Sequence, residues 1–138
     1  MKDIFHSVKL PDFYLLRQAA KENFQDWLNL PYIKPLSGLV LLFIILSLVF
    51  SFAIIKSSSQ DLLILHYNVN SGIDLIGGLN KLYVIPVLGL VILTANAVVS
   101  MIVKKDRKYF SYLLIFASLA ANAYLLLSLG LIYIINFR

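Results

Sequence analysis

The 138 residues are 60% hydrophobic and only 14% charged, with a mean hydropathy of +0.85. Soluble domains carry about a quarter charged residues, so the composition argues against a water-soluble fold, and the wealth of large apolar residues excludes a disordered chain. There is no cysteine, which excludes disulfide frameworks, thiolate metal sites and cysteine nucleophiles, and the net charge of +5 is left for position to explain.

In chain order, the first predicted element is an amphipathic helix over residues 13–30, within an amino-terminal segment 1–35. Phe13, Leu16, Ala20, Phe24 and Trp27 recur at helical spacing, while Arg17, Gln18, Lys21, Glu22, Gln25 and Asp26 fill the other side. Asp12 is placed to cap its free N–H groups, and Pro31 stops it. Phe13, Phe24 and Trp27 are expected to sink into the headgroup region of a bilayer, with Arg17 and Lys21 meeting lipid phosphate. A cytoplasmic helix that binds a partner protein is the competing reading. Pro31 and Pro35 are expected to form an elbow before the next helix.

An uncharged apolar run then covers 36–55, a second covers 82–103, and a third covers 109–137. About 20 helical residues cross the roughly 30 Å hydrocarbon core, whereas spanning strands are half as long and alternate. The expected fold is therefore all-α and integral to a membrane, with three spans behind the amphipathic helix. Nine Lys and Arg residues stand before the first span or in the link 104–108, and three stand in the loop 56–81 or at the carboxyl end. Basic residues accumulate in cytoplasmic loops, so the amino terminus is expected inside and the loop 56–81 and carboxyl terminus outside. Topology and anionic lipid account for the positive charge, with no nucleic-acid partner needed.

The loop 56–81 holds most of the turn chemistry and polar pairs. Residues 62–69 read as extended, Asn70, Ser71 and Gly72 supply a turn that accepts positive φ, and 73–76 can return alongside. Gly77 and Gly78 are expected to bend the chain again before the second span. Its leucines and isoleucines need cover, so the loop is expected to fold onto the helix ends. Three readings of His66, Asn68 and Asp74 stand open: a hydrogen-bonded turn, recognition of an external ligand or protein, or a weak metal site of His66 and Asp74.

The set His66, Asn68, Asn70, Gly72, Asp74 and Lys81, just ahead of an apolar helix, resembles the loop motif of SdpI-like bacterial membrane proteins, in which His, an aromatic residue, Asn, Gly, Asp, Gly and Lys follow in that order. His66-Tyr67-Asn68 and Asp74 keep the spacing, while Ser71 stands at the usual glycine and Lys81 lies about two residues late. The resemblance covers 62 to about 100, under a third of the chain. It implies an extracytoplasmic element in a bacterial inner-membrane protein, of the kind that binds a toxin or acts as a receptor.

No Asp, Glu, Lys, Arg or His lies inside a span, which removes the usual parts of proton relays and ion-coupled carriers. Asn96 and Asn122 are costly in hydrocarbon and should face other helices. The short link makes the second and third spans an antiparallel hairpin, which sets Thr94 level with Ser118 and Asn96 near Ala117. Thr94, Asn96, Ser118 and Asn122 are thus expected in helix packing, beside the small Ala117, Ala120 and Ala121. Pro86 and Gly89 are expected to kink the second span. No GxSxG, HExxH, Walker or GxGxxG motif occurs, and no cofactor or metal is expected. The leading expectation is a non-enzymatic membrane protein that recognises a protein partner through its loop. A subunit of a larger complex or a homo-oligomer is the alternative, and a small membrane enzyme or carrier the third reading.

Overall fold

The computed structural model describes residues 13–59, 61–68, 70, 72–102 and 108–137; for Phe13, Leu15, Leu16, Tyr67, Asn68 and Asp74 the description is of backbone alone. The expected cap Asp12 and residues 104–107 of the link lie outside the described residues. The elements run α1 Phe13–Leu28, α2 Ile33–Ser57, β1 Leu62–Asn68, β2 Gly72–Gly78, a 3-10 helix Leu79–Tyr83, α3 Val84–Ile102 and α4 Lys108–Phe137. Among the described residues, three helical stretches are long and apolar enough to cross a membrane: Ile33–Ser57, Leu79–Ile102 and Lys108–Phe137. The fold is that of a predominantly helical protein, compatible with several membrane passes.

Pro86 lies inside the helical stretch Leu79–Ile102, and Leu82 O, the carbonyl four residues before it, accepts from Ser51 Oγ at 3.3 Å. Pro35 is the third residue of α2, so it lies in a first turn rather than in the elbow. A first-turn residue has no intrahelical acceptor for its N–H, so proline's missing donor costs nothing there and its fixed φ suits the helix. α2 therefore begins three residues earlier than the apolar run suggests.

The core is two apolar clusters separated by small and polar residues. Trp27, Ile33, Val40, Leu93 and Ile115 form one at the α1 end. Ile54, Leu63, Leu82, Leu129 and Ile132 form the other, where the strands join. Along the helices between them lie Ser47, Gly89, Ser118 and Asn122, all buried. The seam of α4 steps through Ser111, Ile115, Ser118, Asn122, Leu129 and Ile132, the three- and four-residue spacing by which packed helices keep one stripe facing inward.

Small residues let the helices close up in the middle. Asn122 Nδ2 donates to Ser118 O at 2.9 Å and to Gly89 O at 3.4 Å. A Cβ at Gly89 would overlap the Asn122 amide oxygen, so glycine is what admits the amide at this crossing. Asn96 Nδ2 donates to Ser118 Oγ at 2.9 Å, one residue along from the predicted Ala117. Thr94 departs from its expected role: it is exposed and bonds back to Leu90 O and Val91 O of its own helix, both at 2.9 Å. A β-branched hydroxyl satisfied by its own preceding turn has no need of a neighbouring helix.

Candidate functional site

β1 and β2 form an antiparallel two-stranded sheet. Leu62 opposes Gly78, Leu63 Gly77, Ile64 Ile76, His66 Leu75, Tyr67 Ile73 and Asn68 Gly72, with register shifts on either side of His66. Leu65 on one strand and Asp74 on the other consequently have no opposite residue in the ladder. Paired bulges of this kind twist a ribbon and re-aim its side chains. Asn70 lies in the turn, and Gly72 has φ +78°, a left-handed conformation that glycine adopts without Cβ strain.

The hairpin thus gathers His66, Asn68, Asn70, Gly72 and Asp74 within a few residues of its tip, and His66 and Asn70 are exposed. Lys81 does not join them. It lies in the 3-10 helix, and a Cβ at Gly77 would meet Lys81 Cδ at 2.7 Å and Leu65 Cδ1 at 2.6 Å, so its stem covers the base of the hairpin. Gly77 and Gly78 do not bend the chain. They continue β2, and the glycine at 77 is what allows that cover.

What fixes the hairpin to the helices is Asn136, a residue with no part in the sequence expectations. Ile64 N–H donates to Asn136 Oδ1 at 2.8 Å, and Asn136 Nδ2 donates to Ile64 O at 2.9 Å and to Ile132 O at 2.8 Å. The amide thereby stands in for a neighbouring strand along the β1 edge. Leu63, fully buried with Leu82, Leu129 and Ile132, anchors the same strand from its inner face. Asn136 continues the inward seam of α4 four residues beyond Ile132, and following that spacing is the signal that would have found it.

The opposite end is held by Trp27. Its Nε1 donates to Ser100 Oγ at 2.7 Å, and Ser111 Oγ donates to Ser100 O at 3.3 Å. Trp27 is 8% exposed, so this member of the expected lipid-anchoring set faces protein instead. An indole N–H needs an acceptor when buried, and Ser100 supplies one inside the bundle. Phe24 stacks on it at 6.1 Å and remains 44% exposed, and Arg17 and Lys21 are exposed as well. α1 therefore buries Trp27 of its last turn against the bundle, while residues 17–26 before it are exposed.

Comparison of the chain with protein-family models, with curated proteins and with solved structures returned no match.

Proposed function

We propose that this is a small non-enzymatic protein of the bacterial inner membrane whose hairpin, residues 62–78, recognises a protein partner on the outer side, in the manner of an SdpI-like immunity or sensor protein. The observation that carries this reading is the Asn136 clamp. A two-stranded hairpin alone is marginal in water, and here it is pre-ordered by two hydrogen bonds from the Asn136 side chain to the Ile64 backbone and by a buried leucine. Pre-ordering lowers the entropy lost on binding, which is what a recognition element requires. The charge asymmetry supports the placement: the basic 1–35 and 104–108 segments inside, the hairpin outside. α1 then lies on the inner leaflet, with Arg17 and Lys21 at phosphate depth and Phe24 in the acyl boundary.

Photo-crosslinking from Asn70 in intact cells tests the recognition. A discrete protein adduct that disappears with His66→Ala, at unchanged membrane abundance, is the expected result. An adduct pattern indifferent to His66→Ala and to Asn136→Leu would defeat it. A second reading, a subunit of a larger assembly or homo-oligomer, is favoured by Tyr124. This residue is 75% exposed midway along α4, has no hydrogen-bond partner among the described residues, and follows the exposed Ala117 and Ala120. A phenol hydroxyl facing hydrocarbon lacks an acceptor that a neighbouring helix would offer.

A further inference from the structure

We propose that the hairpin is inserted in the membrane boundary, with Leu62, Ile73, Leu75 and Ile76 resting in lipid at the junction of headgroups and acyl chains. The inference rests on reading α2, α3 and α4 as spans. These four side chains are 60, 49, 49 and 54% exposed. Residues 62–80 contain one formal charge, Asp74. Four exposed large apolar side chains on one hairpin mark a membrane or a partner as their cover.

The depth of the hairpin decides between these. β1 is tied at Ile64 to Asn136, in the last turn of α4. One turn earlier Tyr133 stacks on Phe137 at 5.2 Å and meets Phe50 at 5.9 Å, a ring cluster of the type that settles at the headgroup level. Ile134, Ile135 and Phe137 of the same two turns are also exposed, so α4 turns apolar residues outward at the level where β1 is tied. The 30 residues of α4 measure about 45 Å against a hydrocarbon core of about 30 Å, so its last turns lie at the boundary, not deep inside.

The backbone sets the limit of insertion. Strand edges with unsatisfied N–H and C=O groups are not tolerated in hydrocarbon. At Ile64 the β1 edge is closed by the Asn136 amide. β2 is the other edge of the sheet, with no further strand beside it among the described residues. The ribbon therefore lies with β1 against α4 and β2 at the hydrated headgroups, where exposed His66 and Asn70 also reach water. Lipid at that depth covers the isoleucines while leaving that edge wet.

The chain has no cysteine, so an engineered thiol is unique, and exposed sites accept a label without repacking. The full chain carrying a nitrobenzoxadiazole label at Ile73→Cys, Ile76→Cys or Asn70→Cys is reconstituted in phosphatidylcholine–phosphatidylglycerol vesicles. Labels at 73 and 76 should be quenched by lipids carrying a nitroxide near the carbonyl, and their iodide quenching should be about a third of that at 70. Equal iodide quenching at all three sites overturns the proposal, leaving the hairpin in water. Protection from both quenchers overturns it in favour of a second copy or another protein as the cover. Protein that fails to float with the vesicles overturns the membrane reading itself, whereas floating protein with wet labels removes only the insertion.

Discussion

The two ends of the bundle are each held by one polar side chain, but the two attachments differ in kind. At the α1 end, the Trp27 indole reaches a serine hydroxyl, and one hydrogen bond plus ring burial fixes a helix whose residues 17–26 are exposed. At the hairpin end, Asn136 binds both the donor and the acceptor of one residue and so replaces a missing strand. A helix satisfies its own backbone and needs only a place to rest. A strand edge next to lipid must be completed by someone else's polar groups. The difference predicts that α1 can leave the bundle at small cost while the hairpin cannot.

Four substitutions break or sharpen that contrast. Gly89→Val forces a side chain into the space of the Asn122 amide and should destabilise the whole bundle by about 3 kcal/mol. Equilibrium unfolding in mixed micelles reads it, and both ends should loosen together. Asn136→Leu should affect the hairpin alone: losing the clamp at Ile64 costs about 2 kcal/mol, seen as roughly 30-fold faster amide exchange in β1 with α1 unchanged. If β1 exchange is unaltered, the clamp is incidental and Leu63 alone holds the strand. Trp27→Phe keeps the ring and removes the bond to Ser100, for about 1 kcal/mol. Trypsin should then cut at Arg17 or Lys21 about five-fold faster while the hairpin keeps its protection. Thr94→Val removes a hydroxyl that serves only its own helix, and the midpoint of unfolding should move by less than about 0.5 kcal/mol.

Much of this architecture was legible because membranes demand long apolar runs. The runs at 36–55, 82–103 and 109–137 correspond to α2, α3 and α4, and the Asn70–Gly72 turn followed from the rule that positive φ favours glycine. Helix starts were harder. Pro35 looks like a breaker until the first residue of α2 is known, because the same ring is harmless in a first turn and disruptive four residues later. Trp27 was ambiguous for a different reason: an amphipathic face says that a side chain is covered, not whether lipid or Ser100 covers it. Asn136 escaped notice because a polar residue near the end of an apolar run reads as a surface residue. Its role depends on Ile64, and no local pattern reports a contact 72 residues away.

That separation has a consequence for biogenesis. Ile64 leaves the ribosome long before Asn136 has been translated, so during insertion the first strand has no clamp to receive it. Two more long apolar helices, α3 and nearly all of α4, must be made before the amide arrives. The Ile64 clamp thus closes last, and a chain stalled short of residue 136 carries nearly all of its long apolar helices yet displays an unfastened ribbon.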